Sequence, residues 1–370
     1  MKIRAAVLFE QPGEWQVCDV ELDAPKEHEV LVRIVASGLC HSDDHVARGD
    51  ARAGHLPRCG GHEGAGVVEK VGPGVVGLAV GDHIVTSFIP GCGRCRWCAS
   101  GMQNLCDYGA LMATGSQLDG TYRKHVDGLD IGDSSFVGAF ADHVVTPEWC
   151  CVKIDPSVPL LPAALLGCGV PTGWGSAVVG AGVQPGDVVI VMGTGGIGMN
   201  AVQGASHAGA TRVIACDPVP MKRELALKLG ATDAVADIAE AGDLARSLTN
   251  GQGADATIVT VSLLESEHLQ QAFSTIRKAG TVVATAIAAT GTTGVPVSLL
   301  ELVLYQKRIQ GSLYGGLSPS KDIPRLLGMY QRGQLKLDEL VTRTYTLEEI
   351  NQGFDDMRAG RNVRGVVVFD

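Results

Sequence analysis

The stretch DVVIVMGTGGIGMNAVQGASHAGATRVIACD, residues 187–217, constrains the fold of this chain more than any other. An apolar run leads into the turn Gly193-x-Gly195-x-x-Gly198, and a helical stretch and a second apolar run follow it. This order predicts a strand, a tight turn, a helix and a parallel second strand. The same alternation continues in MKRELALKLG, ATIVTV, HLQQAFSTIRKAG and TVVATAIA. The sequence therefore predicts an α/β fold with a doubly wound parallel sheet of the Rossmann type.

The glycine turn also predicts a dinucleotide site. The first glycine permits the tight turn, the second lets a pyrophosphate approach the backbone, and the third lets helix and strand pack closely. The N-terminus of the helix attracts the phosphates. Asp217, nineteen residues after Gly198, would accept hydrogen bonds from ribose hydroxyls and repel a 2′-phosphate, which favours NAD over NADP. The residues assigned to the nucleotide here are Gly193, Gly195, Gly196, Ile197, Gly198 and Asp217.

The first 90 residues show a different periodicity. Short apolar runs such as AAVLF, EVLVRIVASG and DHIVTSFI have a period near two and are broken by Gly, Pro and Asp. This pattern predicts a mainly β, barrel-like domain. Residues 107–147 are expected to be loop-like until the strand signals ADHVVT and WCCVKI. Near the end of the chain, Thr346 and Glu349 predict a capping box that starts a helix, and a strand follows.

Composition and charge exclude several classes of protein. The net charge of -10 argues against a nucleic-acid scaffold, which needs a basic face. The N-terminal apolar run AAVLF is shorter than the ~7–15 residues of a signal peptide. We therefore expect a cytoplasmic chain with no nucleic-acid partner and no membrane partner. Its eleven cysteines are then expected to be reduced, because the cytosol disfavours disulfides.

Four cysteines are concentrated in PGCGRCRWCASGMQNLC, residues 90–106. They are Cys92, Cys95, Cys98 and Cys106, and they suit a metal ion, an iron–sulfur cluster or disulfides. Disulfides are disfavoured by the cytosolic setting. The bacterial cluster pattern C-x₂-C-x₂-C-x₃-C-P does not match, because seven residues precede the last cysteine and an aspartate follows it. Metal ligation is the reading that the spacing favours.

A second set of candidate ligands is dispersed along the chain. Cys40 lies in GLCHSDDH, His62 in GGHEGAG and Cys168 in LLGCGVPTGW. Two sulfurs and one imidazole leave zinc a fourth position for water or substrate, as a catalytic site requires. Spacing alone does not join the three, because a buried cysteine or a lone histidine usually has no such role.

Together these motifs resemble the zinc-dependent medium-chain alcohol dehydrogenases. The matching segments, in the family's order, are the Cys40 segment, GHEGAGVVEKVGPGV, the four-cysteine lobe, Cys168 and GTGGIG, and the resemblance covers essentially the whole chain. Within the family, SFIPGCGRCRWC, DGTYR, LLGCGVPTGWGSAV and LEEINQGFDDMRAGRNVRGV are similar to an actinobacterial branch. That branch holds NAD tightly and is assayed with a nitrosoaniline acceptor.

The resemblance implies two domains and two zinc ions per chain. Residues 1–170 and 313–370 would form a GroES-like catalytic domain with a structural zinc lobe at 90–106, and residues 171–312 an NAD-binding Rossmann domain. Cys92, Cys95, Cys98 and Cys106 would hold the structural zinc. Cys40, His62 and Cys168 would hold the catalytic zinc, with Glu63 beside it as a tuning or transient ligand. The substrate would be a small-molecule alcohol, aldehyde or ketone, and the protein a homo-oligomer, either dimer or tetramer.

The resemblance also assigns the remaining site residues. It assigns Ser42 to the substrate hydroxyl, His45 to the surface end of a proton relay, Asp43 to the free ring nitrogen of His62, His41 and Arg364 to the pyrophosphate, Thr172 to the nicotinamide and Lys222 to the adenosine ribose. The zinc would lower the pKa of the bound hydroxyl, and the alkoxide would pass a hydride to C4 of the nicotinamide. Lys222 also suits a solvated helix charge, and Arg364 also suits an ion pair with a surface acid.

Three alternative functions remain open on the sequence alone. A glutathione-linked formaldehyde dehydrogenase of the same superfamily would need an anion-binding pocket. An enoyl or quinone reductase on the same fold usually lacks the zinc ligands. A non-catalytic zinc-binding or redox-sensing protein would have no need of Ser42 and His45 beside a Cys₂His set.

Overall fold

The computed structural model describes residues 1–370, which divide into two units. The discontinuous unit comprises Met1–Cys168 and Ser318–Asp370, and the sheet unit comprises Gly169–Leu317. The domain boundaries expected from the sequence fall after residues 170 and 312.

Twenty strands and eleven α-helices are labelled here in chain order. The strands are β1 (Lys2–Leu8), β2 (Gln16–Leu22), β3 (Glu29–Gly38), β4 (Arg58–Cys59), β5 (Glu63–Val71), β6 (His83–Thr86), β7 (Lys124–Val126), β8 (Leu129–Asp133), β9 (His143–Pro147), β10 (Cys151–Ile154), β11 (Val188–Met192), β12 (Arg212–Cys216), β13 (Asp233–Val235), β14 (Ala254–Val259), β15 (Leu263–Leu264), β16 (Ile276–Ala284), β17 (Ile287–Ala288), β18 (Arg308–Gly311), β19 (Val341–Tyr345) and β20 (Arg364–Val368). The helices are α1 (His41–Arg48), α2 (Arg96–Ala99), α3 (Leu160–Ala163), α4 (Gly169–Gly175), α5 (Gly196–His207), α6 (Pro220–Lys228), α7 (Ile238–Leu248), α8 (Ser266–Thr275), α9 (Leu299–Leu304), α10 (Pro319–Gln331) and α11 (Ile350–Arg358).

The discontinuous unit is built from a closed barrel and a seven-stranded sheet. The barrel has the strand order β1-β2-β7-β8-β4. The sheet has the order β10-β6-β5-β3-β20-β19, and β9 also pairs with β3. Strand β3, EVLVRIVASG, is apolar along most of its length and largely buried, as expected for a strand with neighbours on both edges. The predicted mainly β, barrel-like domain is confirmed.

The expectation of a loop over residues 107–147 is wrong in its middle part, because β7 and β8 lie there. They form a two-residue hairpin in which Val126 pairs with Leu129 across Asp127 and Gly128. Both loop residues have positive φ, 51° and 79°, as a type I′ turn requires. The strands have only three and five residues, KHV and LDIGD, so the alternating apolar signal is too weak to indicate them.

The sheet unit contains a six-stranded parallel sheet in the order β13-β12-β11-β14-β16-β18. Its central strand β11, VVIVM, has all five residues buried and ends directly before Gly193. Ala241 and Ala245 of α7 and Phe273 of α8 belong to the apolar clusters that cover the sheet. The predicted doubly wound parallel sheet is confirmed.

The helix at the end of the chain begins as its sequence predicts. The Thr346 side chain accepts the backbone N–H of Glu349, and the Thr346 N–H donates to Glu349 Oε2 at 2.9 Å. This reciprocal pair satisfies two N–H groups that the first turn leaves free. Helix α11 follows, and its Phe354 and Met357 join the core of the discontinuous unit.

None of the helices by itself has the length and apolar composition that crossing a membrane requires. The uncharged residues 156–186 contain two short helical segments, Leu160–Gly167 and Gly169–Ala181, with an angle of 57° between them. They reach this length and composition only when taken together.

Candidate metal centres and active site

Four buried side chains meet in the discontinuous unit. Cys40 is the residue before α1, His62 directly precedes β5, Glu63 begins that strand, and Cys168 follows a 3₁₀ turn. One ligand atom from each lies within 4.8 Å of the others, and all four residues are buried. Residues 128 positions apart in the chain are therefore gathered around one point, which spacing alone could not establish.

The electrostatics of this cluster suit a cation. The hydrogen bond between the two thiols lowers the pKa of Cys40 well below its usual range and raises that of Cys168. Burial opposes protonation of His62, but the charges of Asp43 and Cys40 raise its pKa. Burial raises the pKa of Glu63 to about 7, although Arg364 opposes the shift. The cluster thus favours a thiolate at Cys40 in a dry pocket.

The donor set fits zinc. Two sulfurs, one imidazole nitrogen and one carboxylate oxygen are the ligand types that zinc takes, and a catalytic site uses three of them and leaves the fourth position open. The carboxylate of Glu63 also forms a hydrogen bond outside the ligand set, because Arg364 Nη2 donates to its Oε2. Cys40, His62 and Cys168 would then be the permanent ligands.

Arg364 is placed beside this cluster. Its side chain is only 6% exposed, and the guanidinium pairs with the carboxylate of Glu63, whose side chain is fully buried. The alternative of a surface ion pair, left open by the sequence, is therefore wrong, because the acid is not at the surface. The pyrophosphate contact that the resemblance assigns to Arg364 stays a prediction.

Asp43 lies against the His62 ring. Its Oδ2 is 3.1 Å from His62 Nδ1, and both side chains are almost fully buried. A carboxylate at this nitrogen fixes the ring so that Nε2 faces a metal. The resemblance assigns Asp43 to this ring nitrogen, and its role toward a metal stays a prediction.

Helix α1 carries the candidate proton path. The Ser42 hydroxyl donates to Cys40 Sγ at 3.1 Å, so it lies beside the metal cluster. His45 Nδ1 is 2.9 Å from Asp50 Oδ2, and the ring of His41 is 6.2 Å from that of His45. His45 is only 5% exposed, whereas the Asp50 side chain is 36% exposed. The group nearer to solvent is therefore Asp50, which the sequence analysis did not single out.

The four-cysteine lobe forms a separate cluster. The sulfurs of Cys92, Cys95, Cys98 and Cys106 lie within 4.8 Å of one another, and none of them forms a disulfide. The backbone N–H groups of Cys95 and Cys98 point at the sulfurs of Cys92 and Cys95, at 3.4 and 3.5 Å. Four thiolates with no open position are the donor set of a structural zinc site.

The three glycines of the turn differ in what surrounds them. Gly193 has φ 90°, and a Cβ on Gly198 would lie 1.9 Å from the Gly193 carbonyl oxygen. The fold itself therefore disfavours a side chain at these two positions. A Cβ on Gly195 would meet nothing within 4 Å, and Gly195 is the residue that precedes α5. The space over the helix N-terminus is therefore open, as a pyrophosphate requires.

Asp217 lies at the end of β12 and reaches the turn. Its Oδ2 accepts the N–H of Thr194 at 2.8 Å, and its Oδ1 accepts that of Val219 at 2.9 Å. Each carboxylate oxygen keeps a second lone pair for a ribose hydroxyl. The guanidinium of Arg223 donates to the Asp217 carbonyl at 2.8 Å, a neighbour that the sequence analysis missed.

Four further nucleotide candidates lie in the sheet unit, whereas His41 and Arg364 do not. Lys222 is half-buried on α6, and Thr172 is buried on α4. Gly196 and Ile197 form the first turn of α5. The two clusters of candidate metal ligands, His41 and Arg364 lie in the discontinuous unit.

Two family models match the chain. The model "Alcohol dehydrogenase GroES-like domain" matches residues 26–156, and the model "Zinc-binding dehydrogenase" matches residues 196–332. Together they span most of both units.

Similar proteins match over the full length. The chain is 49% identical to an NDMA-dependent alcohol dehydrogenase of Amycolatopsis methanolica, covering 100% of this chain and 99% of that protein. It is 46% identical to alcohol dehydrogenase B of Mycobacterium tuberculosis, covering 99% and 98%. Among solved structures, an alcohol dehydrogenase zinc-binding domain protein of Burkholderia ambifaria has a TM-score of 0.93 at 33% identity, covering 100% and 99%. Benzyl alcohol dehydrogenase of Acinetobacter calcoaceticus has a TM-score of 0.92 at 30% identity, covering 100% of both chains. The chain therefore belongs to the zinc-dependent medium-chain alcohol dehydrogenase family.

Proposed function

We propose that this protein interconverts a small-molecule alcohol and its aldehyde or ketone, with NAD as the hydride carrier and zinc at the Cys40, His62 and Cys168 cluster. The observation that supports this most is the buried set of donor atoms within 4.8 Å, with the Ser42 hydroxyl beside it. The test is to incubate zinc-loaded protein with a simple alcohol, with either NAD or a nitrosoaniline acceptor. Aldehyde formation is expected, and no aldehyde under either condition would contradict the proposal.

The residues around the cluster suit the removal of a hydroxyl proton. Zinc, when bound, supplies a Lewis acid that lowers the pKa of a substrate hydroxyl. Ser42, whose hydroxyl lies beside Cys40, would hydrogen-bond that hydroxyl and pass its own proton on toward His45 as it accepts the proton of the substrate. His45 offers its Nε2 to the next transfer, because Asp50 holds its Nδ1. Asp50 then gives the path its contact with solvent.

The sheet unit suits NAD. The pyrophosphate would lie over Gly195 at the N-terminus of α5, and Asp217 would bind the ribose hydroxyls. The negative charge of Asp217 is expected to make the protein prefer NAD to NADP.

Replacing Gly195 by alanine tests nucleotide binding at the turn separately from folding. Because a Cβ there meets no protein atom within 4 Å, the variant is expected to fold and melt like the wild type. It should bind NADH about tenfold to a hundredfold more weakly, since the methyl group occupies the space of the pyrophosphate. Thermal melting and NADH fluorescence titration measure the two effects.

Gly198→Ala is the matched control, because its Cβ would lie 1.9 Å from a backbone oxygen and should disrupt the fold. If Gly195→Ala bound NADH as tightly as the wild type, the nucleotide would not lie over this turn.

We further propose that NAD stays bound between turnovers. The support is the similarity to the NDMA-dependent enzyme over the whole chain. We expect dialysed protein to release NAD or NADH on heat denaturation and to oxidise alcohol well only with a small acceptor that enters the site. Almost no released nucleotide, together with rapid NADH production from added NAD, would contradict this.

A second copy of the chain is the partner we propose for one face of the sheet unit. Helix α9 leaves Leu299, Leu300, Val303 and Leu304 between 66% and 73% exposed, which is unusual for apolar residues on one short helix. The nearby strand β18 is the open edge of the parallel sheet and can pair with the same strand of a two-fold-related copy. Light scattering after gel filtration should give at least twice the chain mass of 38.5 kDa, and a monomer would contradict the proposal.

Metal content and substrate activity distinguish the three alternative functions from the proposed one. An enoyl or quinone reductase has no use for two complete metal clusters, and metal analysis distinguishes it. A glutathione-linked formaldehyde dehydrogenase would show activity with hydroxymethylglutathione in a substrate screen. A non-catalytic zinc protein would form no aldehyde at all.

A further inference from the structure

The carboxylate of Asp43 is held on the side away from His62 by two donors. Its Oδ1 accepts the N–H of Gly61 at 3.1 Å and the hydroxyl of Ser134 at 3.2 Å. Ser134 is itself only 8% exposed. Because Asp43 Oδ2 faces the His62 ring, the donors on Oδ1 determine how the carboxylate presents itself to that ring.

Ser134 begins a turn with an unusual backbone. The Ser134 turn, residues 133–138, contains Ser135 at φ 51° and Phe136 at φ 66°. Two successive residues with side chains rarely adopt this left-handed region, and a bulky aromatic residue least of all. Such strain persists only where the surroundings fix the conformation, and it is concentrated at functional sites.

Two buried polar side chains, Lys124 and Gln117, hold the turn in this conformation through hydrogen bonds. Lys124, which is fully buried, donates to Asp133 Oδ1 at 2.5 Å and to the carbonyl of Gly138 at 3.3 Å. Gln117 donates to Asp133 Oδ2 at 3.0 Å and to the carbonyl of Phe136 at 3.2 Å. A buried ion pair contributes little net stability, so stability alone does not account for this one. Its evident effect is to set the path of the turn.

The turn also lies directly against the segment that carries His62. Strand β8 pairs with β4 through Asp133 and Cys59. Beyond the turn, the N–H groups of Ala139 and Phe140 donate to the carbonyls of Gly61 and Gly60, both at 2.9 Å. The backbone before His62 and the hydroxyl that reaches Asp43 are therefore placed by one structure.

We propose that Ser134 is a positioning residue of the catalytic metal site, which acts through Asp43 to hold the His62 ring in its ligating orientation. The inference rests on the proposed function, because it assumes that His62 binds zinc. Loss of the direct partner of a ligand, here Asp43, typically weakens metal affinity about 10- to 100-fold. Ser134 acts one step further out, through Asp43, so we expect its loss to have an effect at the lower end of that range.

The test compares Ser134→Ala with Ser135→Ala. The second variant removes a hydroxyl from the next residue of the same turn, one that makes no side-chain hydrogen bond, and it leaves φ at that position equally constrained. Zinc release from each holoprotein to a chromophoric chelator is followed in time. We expect release from the Cys40 cluster to be about tenfold faster in Ser134→Ala than in the wild type. Release from the four-cysteine lobe should be unchanged, and Ser135→Ala should match the wild type.

The visible spectrum of the cobalt(II)-substituted protein is a second measurement, and a loss of stability alone does not change it. The visible d–d bands of cobalt in the Cys40 cluster should shift in Ser134→Ala and return in Ser134→Thr, which restores the hydroxyl. Equal release rates in the two alanine variants would overturn the inference, and so would faster release from both clusters in Ser134→Ala. If the wild type released only the zinc of the four-cysteine lobe, the proposed function itself would fail.

Discussion

Replacing Cys168 by serine is expected to abolish alcohol oxidation while the protein stays folded. Serine has nearly the shape of cysteine, but its hydroxyl is not ionised near neutral pH and is a poor zinc ligand. Loss of the Lewis acid removes several kcal/mol of transition-state stabilisation. We therefore expect kcat/KM to fall at least about a thousandfold, at about 1.4 kcal/mol for each tenfold step. Steady-state kinetics and elemental analysis measure activity and bound zinc together.

Cys150→Ser is the matched control for this variant. Cys150 is fully buried but belongs to neither cluster, so its replacement should leave zinc content and activity near those of the wild type. NADH binding should be unchanged in both variants, because the glycine turn lies in the other unit. Full activity of Cys168→Ser after removal of the catalytic zinc would contradict the role of this cluster.

Replacing Cys98 by serine is expected to unfold the four-cysteine lobe. The lobe has little apolar core of its own, because its Met102 and Leu105 are each 41% exposed. A structural zinc ion in so small a unit supplies folding free energy directly, with apparent values of about 10–16 kcal/mol in zinc-finger peptides. The variant should lose one zinc and melt at a clearly lower temperature, as followed by calorimetry and metal analysis.

Hydrogen bonds between the lobe and the start of α10 predict which other segment loses structure in this variant. Ser318 Oγ donates to the Gly101 carbonyl at 2.7 Å, and the Ser320 hydroxyl donates to Gln103 Oε1 at 2.8 Å. Proteolysis should therefore become faster both in the lobe and at the start of α10. Wild-type protease resistance and melting temperature in Cys98→Ser would show that the lobe does not depend on its metal.

The sequence could predict the sheet unit well because its signals are local. The apolar run of β11, the glycine turn and Asp217 lie within 31 residues, and each has one structural meaning in that order. The hairpin of β7 and β8 was also marked locally, by the Asp127–Gly128 pair that favours a type I′ turn. It was missed because strands of three and five residues show too little alternation.

The neighbours of the metal cluster could not be predicted in the same way, because they come from distant parts of the chain. Arg364 and Glu63 are 301 residues apart, and nothing near either residue indicates the other. Ser134 reaches Asp43 across 91 residues, and it does so through a backbone conformation that no sequence pattern specifies. The family resemblance supplied the ligands and Asp43, whereas the pairing of Arg364 with Glu63 and the contact of Ser134 with Asp43 emerged only from the structure.

The central claim is that one chain holds two zinc ions in two different kinds of site. The most direct measurement is the metal content of freshly purified protein after denaturation, for the wild type and for Cys40→Ser and Cys92→Ser. We expect two zinc ions per chain in the wild type and one in each variant, with no iron or sulfide. Stoichiometric iron with sulfide would contradict the four-cysteine zinc site. A single zinc in the wild type that survives Cys40→Ser but is lost in Cys92→Ser would contradict the catalytic one.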